Sequence, residues 1–247
     1  MEEFDPTEHT IVYGYRGSKA HNMYINPSEP MGTDDVDYIG VWISPIDYYF
    51  GLKQKENHES FVGKDDIVMY DIKKFFKLLV KSNPNVLSLL WNNPSMIIKG
   101  SREWDMILSN RDLFSSKQAV NSFHGYAKSQ LHKMKTNVFQ GYMGEKRKKL
   151  VKEHGYDTKN ASHLIRLLRM GHEFLDTGKM TVFRTEDRDE LIAIKRGEWT
   201  FEQVIGEADN MFNALDGVTK TSPLPDEIDL RKVNTLMVSI LENYFYN

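Results

Sequence analysis

The run Asp35-Val36-Asp37-Tyr38-Ile39-Gly40-Val41-Trp42-Ile43 constrains this chain more than any other. Two carboxylates one residue apart stand at the mouth of an apolar, β-branched segment. On a strand, residues i and i+2 face the same side. Asp35 and Asp37 are therefore expected to project together, with Val36 entering the opposite layer. Like charges held side by side repel, and a divalent cation is the commonest reason to keep them there. Mg²⁺ takes oxygen ligands and is held by one or two carboxylates plus substrate phosphates. The plain alternative is a turn cap with an exposed neighbour.

Upstream lies Tyr13-Gly14-Tyr15-Arg16-Gly17-Ser18-Lys19-Ala20-His21-Asn22. Its small residues follow a strand pattern over 10–15 and suit a turn whose N–H groups approach a phosphate. His21, directly after that turn, is placed to touch a substrate. A phosphate-contacting turn followed by a carboxylate-bearing strand is the minimal equipment for phosphoryl or nucleotidyl transfer. Either motif alone is weak; their order is what points to metal-dependent transfer chemistry.

At 247 residues the chain can bury one large core or two modest ones. A net charge of −3 gives no global electrostatic case for nucleic-acid binding. The chain has no cysteine, which excludes a disulfide framework or a thiolate metal site and fits a reducing cytosol. No apolar run approaches a membrane span, and the start Met1-Glu2-Glu3-Phe4-Asp5 is acidic, unlike a signal peptide. A cytoplasmic protein without membrane contact is the expectation.

The first third alternates between strand and turn patterns. Asn26 to Gly32 reads as a loop, and the aspartate strand ends near Ser44-Pro45. A third strand, Ile67 to Tyr70, runs into Asp71, where the period changes to 3.6 through Ile72, Phe75, Phe76, Leu79 and Val80. Asn83-Pro84 ends that helix. Beyond it the pattern turns helical: a segment capped by Ser101, residues 116–136, Thr158 to Thr177 with Gly178 as stop, residues 200–215, and residues 226–246. A short strand, Met180 to Arg184, is expected between them. The chain thus reads as α+β: a mixed-sheet N-terminal part over 1–100, then a mainly helical part over 101–247.

Three further features carry chemistry. Asp71 sits where strand becomes helix, so it reads equally as an N-cap and as a third metal-site carboxylate or base. Lys159, His163 and Arg166 form a row on the helix from Thr158, at spacings of four and three. Such a row suits a phosphate, although a solvated polar face is its commoner meaning. The run Glu145 to Lys152 is the densest basic stretch, and a solvated helix face is again commoner than an RNA contact. Tyr126 is able to stack on a base, though a buried tyrosine is the ordinary case.

These segments together resemble the nucleotidyltransferases of the DNA polymerase β superfold associated with RNA repair. The likeness runs through Tyr15 to Ala20, Asp35 to Val41, Tyr70 to Phe75, Asn83 to Trp91, Gly125 to Leu131, Lys159 to Leu168 and Leu191 to Glu198. The Gly-Ser and Asp-x-Asp pair is shared across the superfold, whereas Lys159 to Leu168 is more family-specific. The resemblance implies transfer of a nucleoside monophosphate from an NTP such as ATP, with release of pyrophosphate. It implies Mg²⁺ or Mn²⁺ on Asp35 and Asp37, with Asp71 as the third acid. Gly17 and Ser18 match the triphosphate turn, and His21, Lys159, His163 and Arg166 are expected to face the nucleotide. The acceptor is an RNA end, a protein or a small molecule. Two departures stand out: a longer gap from Ser18 to Asp35, and Ser88 where similar chains often carry an acid. The rival readings are a non-catalytic nucleotide- or RNA-binding protein and an antitoxin-like protein that nucleotidylates a partner.

Overall fold

A computed structural model describes residues 4–29, 35–52, 57–62, 65–136 and 145–246. Half of the Pro-rich insert and the acidic end of the basic run therefore lie outside the described residues or side chains.

A five-stranded mixed sheet forms the N-terminal half. Its strands are β1 (Thr10–Arg16), β2 (Asp37–Trp42), β3 (Asn57–Val62), β4 (Asp65–Asp71) and β5 (Ile97–Gly100), in the order β3-β4-β2-β1-β5. Only β2 and β4 run parallel; the other neighbours are antiparallel. The sequence pattern contained β1, β2 and β4. It missed β3 and β5, which are the two edges, where one solvated side blurs the alternation that marks a strand.

Eleven helices occur among the described residues. Short α1 (Gly17–Ala20) and α2 (Ile46–Phe50) follow β1 and β2. Helices α3 (Ile72–Val80), α4 (Pro84–Leu87) and α5 (Arg102–Ser109) lie around the sheet, and α6 (Ala119–Thr136) and α7 (Glu145–His154) lead into α8 (Thr158–Thr177). The chain ends with α9 (Arg188–Lys195), α10 (Phe201–Thr221) and α11 (Leu230–Tyr246). Helix α8 is the hub of the helical half, buried on most sides and packed on α6, α9 and α10. Asp157 caps its start by accepting from the Asn160 N–H at 3.0 Å. Gly178 ends it at φ 74°, a left-handed conformation that glycine adopts without a Cβ penalty.

Two expectations change here. Ser101 occupies an N-cap position, but its hydroxyl bonds the Glu103 carboxylate and not the helix backbone. Residues 180–184 form no strand; they run beside the turn after α1 instead of joining the sheet. An isolated extended segment looks like a strand in sequence because β-branched residues suit both settings.

One hydrophobic cluster extends from Ile11 and Val41 on the sheet through Phe75, Phe114, Phe123 and Phe174 to Ile240. The sheet's helix-facing side and α8 therefore share a core. The seam between them opens into the cavity described next.

Candidate active site

Strand β1 ends at Arg16, and the chain turns sharply through Gly17 at φ 60°. A Cβ on Gly17 would lie 2.2 Å from Oδ2 of Asp37, so only glycine lets the backbone sit against that carboxylate. Asp37 is the first residue of β2 and the cross-strand partner of Arg16. Asp35 precedes the strand, yet it lines the same cavity. The two aspartates are thus together as expected, though not as i and i+2 of one strand.

This cavity, of about 510 Å³, lies between the end of the sheet, α8 and residues 83–92. Gly17, Ser18, His21, Asp35, Asp37, Lys159, His163 and Arg166 all line it. Eight of the nine residues singled out in the sequence are therefore brought to one place.

Asp71 is the exception. It pairs with Trp42 at the far end of the β2–β4 ladder, whereas Asp37 pairs with Asp66. Five residues at ~3.3 Å each separate the two positions by roughly 16 Å, and the odd offset turns Asp71 to the other face. Both oxygens of its carboxylate are engaged, one of them as the cap of α3. One oxygen accepts from the Lys73 N–H at 2.8 Å; the other accepts from Ser44 Oγ at 2.8 Å and Tyr49 OH at 2.7 Å. The role of third acid implied by the resemblance is not one this geometry gives Asp71.

The acid paired with Asp37 is Asp66. It stands beside Asp37 on the neighbouring strand, and Arg16 Nη2 donates to it at 2.5 Å. No period or motif in the sequence singles it out, because it is one of two adjacent aspartates at a strand start.

The electrostatics are uneven. Burial raises the Asp37 pKa above the ordinary carboxylate value; Arg16 and Lys159 oppose the shift, and Asp66 and Asp35 add to it. Arg166 is 9% exposed, and among the described residues its guanidinium donates to Met170 Sδ at 3.5 Å. Burial, with Arg184 adding repulsion and Asp187 opposing it, lowers its pKa to about 9, so it stays charged at neutral pH. His21 is buried, and its pKa lies well below the ordinary value through burial first and then the charge of Arg166. Its Nδ1 lies 2.9 Å from the Val182 carbonyl, which can only accept, so Nδ1 carries the proton. His21 is thus a neutral brace and not a phosphate cation.

The helical half grips the turn. Asn22 Nδ2 donates to Arg184 O at 2.8 Å, and Arg188 Nε to Asn22 O at 2.8 Å. Lys195, buried at the end of α9, donates to Met23 O at 2.7 Å and to Ser18 Oγ at 3.2 Å. Lys195 was missed as a site residue because a lysine in the last turn of a helix is ordinary. Arg184 is fixed in turn by Asp187 and Glu173. Ser88 lines the cavity too, its hydroxyl donating to Asn85 O at 3.0 Å.

Residues 7–239 match the RNA repair pathway DNA polymerase beta family. The chain belongs to that family. Its α+β architecture, a mixed sheet followed by a mainly helical part, is the one expected from the sequence. An uncharacterized 38.9 kDa protein in the nrdC-mobD intergenic region of Enterobacteria phage T4 is 29% identical over 135 residues. That stretch is 50% of this chain and 38% of the phage protein, so the match spans well under half of that relative. A nucleotidyltransferase-like protein from Exiguobacterium sibiricum 255-15 aligns with 95% of this chain and 74% of its own, at 10% identity and a TM-score of 0.29. No helix among the described residues is long and apolar enough to cross a membrane.

The cavity's carboxylates are hard oxygen donors. Among the described residues, no group of three or more His, Cys, Asp or Glu is arranged to hold a metal ion. Asp35 and Asp37 offer a carboxylate pair, and Asp66 is engaged by Arg16. That pair fits Mg²⁺, which needs only one or two carboxylates when phosphates complete its shell. The raised Asp37 pKa, with Asp35 and Asp66 adding negative charge, is the deficit a hard cation relieves.

Proposed function

We propose that this protein is a metal-dependent nucleotidyltransferase that moves a nucleoside monophosphate from an NTP to an acceptor hydroxyl. The single observation that carries the reading is Arg166. A buried guanidinium is costly unless an anion meets it. Among the described residues, no hydrogen bond or ion pair joins Arg166 to a carboxylate. It faces a cavity that also holds the Gly17-Ser18 turn, Lys159 and Lys195. A triphosphate is the anion that such a set fits.

Asp35 and Asp37 would hold Mg²⁺ or Mn²⁺. When bound, the ion neutralises charge on the triphosphate and on the leaving pyrophosphate. Gly17 and Ser18 present backbone and hydroxyl groups to the phosphates, with Lys195 orienting the serine. Arg166 and Lys159 supply positive charge from α8. The acceptor hydroxyl oxygen attacks the α-phosphorus as the bond from that phosphorus to the bridging oxygen breaks. Pyrophosphate leaves with that oxygen and the hydroxyl proton is released to solvent, and positioning with charge stabilisation is the enzyme's main task. Asp66, beside Asp37, is the third carboxylate of this reading.

The test is to incubate purified protein with each α-labelled NTP, Mg²⁺, and either RNA or cell lysate. Label is expected in an acceptor, and the Asp35→Asn, Asp37→Asn double variant should transfer none. Label in lysate proteins but not RNA would favour nucleotidylation of a partner. Tight NTP binding with no label anywhere would mark a non-catalytic binder.

A further inference from the structure

The phosphate side of the cavity leaves its other wall unexplained. That wall is built by residues 83–92 together with Tyr70 of β4 and Tyr126 of α6. Its lining side chains include Tyr70, Asn83, Asn85, Ser88, Asn92 and Tyr126, and among the described residues no formally charged one belongs to it. Lys159, Arg166 and Lys195, by contrast, bring positive charge to the cavity from α8 and α9. A cavity of about 510 Å³ falls within the ~300–1,000 Å³ range of pockets that enclose a whole organic ligand.

The hydrogen bonds of this wall fix what it offers. Asn83 is held in place: its Oδ1 accepts from the Asn85 and Val86 N–H groups, at 3.1 and 3.3 Å, as the cap of α4. Its Nδ2 donates to Tyr126 OH at 3.0 Å. Having accepted that bond, the Tyr126 hydroxyl keeps its own proton to donate. Ser88 Oγ spends its proton on Asn85 O and keeps its lone pairs. The wall therefore presents a phenol donor and a hydroxyl acceptor beside aromatic rings. Tyr70 lies within electrostatic reach of Tyr126; burial raises the Tyr70 pKa, with Arg16 opposing the shift, so this ring is a neutral phenol.

We propose that this uncharged wall is a nucleobase subsite, with Tyr126 its anchoring side chain. The inference rests on the transferase reading above and adds the part of the substrate that the phosphate contacts ignore. A flat heterocycle with mixed donors and acceptors is the ligand that aromatic faces plus neutral polar edges select. The base belongs either to the donor NTP or to the terminal nucleotide of an acceptor.

The experiment compares wild type, Tyr126→Leu and Tyr126→Phe by calorimetry with Mn²⁺. The probes are a non-hydrolysable NTP, inorganic tripolyphosphate, and a short oligoribonucleotide added after saturation with the NTP analogue. Tyr126→Leu should weaken one nucleotide probe by roughly 10-fold or more, as loss of a stacking partner does, while tripolyphosphate binding stays unchanged. Loss with the NTP assigns the donor base; loss only with the oligoribonucleotide assigns the acceptor base. Tyr126→Phe, which keeps the ring, should restore most of the affinity. If Tyr126→Leu binds both nucleotide probes like wild type, the subsite is wrong while tripolyphosphate binding keeps the transferase reading intact. An equal loss of tripolyphosphate would mean that Tyr126 only holds the fold, and would also overturn the subsite. Wild type that binds nucleotide but no tripolyphosphate would overturn the phosphate assignment and leave the subsite standing.

Discussion

Asp66 stands directly across from Asp37 in the parallel register of β2 and β4, and the two carboxylates share a face of the sheet. Arg16, the antiparallel partner of Asp37, reaches over to ion-pair with Asp66 at 2.5 Å. Three charged residues from three adjacent strands thus meet at one edge. Asp66→Asn should lower turnover by about 10²-fold or more, the low end of what a catalytic carboxylate contributes, with little change in melting temperature. Asp71→Asn should do the reverse. An amide has one oxygen where Asp71 now accepts three bonds, so stability should fall by about 1–3 kcal/mol while turnover of the folded enzyme persists. Pyrophosphate release measured beside thermal melting checks both; a folded, inactive Asp71→Asn would contradict the assignment.

The confusion between these two aspartates shows what a sequence can carry here. Strand β4 was visible as an apolar run, and its switch to the helical period at Ile72 was visible too. Asp71 was conspicuous because it sits at that switch. Which end of β4 lies beside Asp37 depends on strand direction and register, and neither is written in local periodicity. A parallel pairing places the start of β4 beside the start of β2, so the acid at the start is the one that stands beside Asp37. Lys159, His163 and Arg166 were legible as a row because helical spacing alone puts them on one face. The unexpected fact about that row is depth: Arg166 is buried, and burial depends on tertiary packing that helical spacing does not carry.

Arg166 invites a test in which stability and binding move in opposite directions. Removing a buried cation that lacks a bonded anion relieves a desolvation penalty, and a well-packed apolar replacement is often neutral or stabilising. Arg166→Met should therefore melt at or above the wild-type temperature without ligand. Its affinity for tripolyphosphate should fall by about 1.5–3 kcal/mol, the usual size of a hydrogen bond to a charged group. A marked drop in melting temperature with unchanged tripolyphosphate affinity would make Arg166 a structural residue.

Gly17 tests whether the turn and the carboxylate pair form one unit. Its φ of 60° costs any residue with a Cβ about 1–2 kcal/mol. The new methyl would also meet Asp37 Oδ2 at 2.2 Å and force the carboxylate away. Gly17→Ala is expected to weaken Mn²⁺ binding in the presence of an NTP analogue as strongly as Asp37→Asn does. Calorimetry decides it; unaltered Mn²⁺ binding would separate the turn from the metal site.

The last prediction concerns acid stability. His21 is buried, with a folded pKa well below its unfolded value near 6.5. Between those two values the unfolded chain binds a proton that the folded chain refuses. Stability is therefore fully present above about pH 6.5 and is lost as pH falls toward the folded pKa. His124, whose pKa burial also lowers, contributes in the same window, so a difference between variants is needed. In His21→Asn the amide nitrogen can still donate to Val182 O, but nothing titrates. Wild type and His21→Asn should show a stability gap that changes in favour of the variant as pH drops from 7 to 5. The gap should be flat from 7 to 8. Chemical denaturation at each pH measures it, and parallel profiles for the two proteins would show that His21 is not the group that titrates.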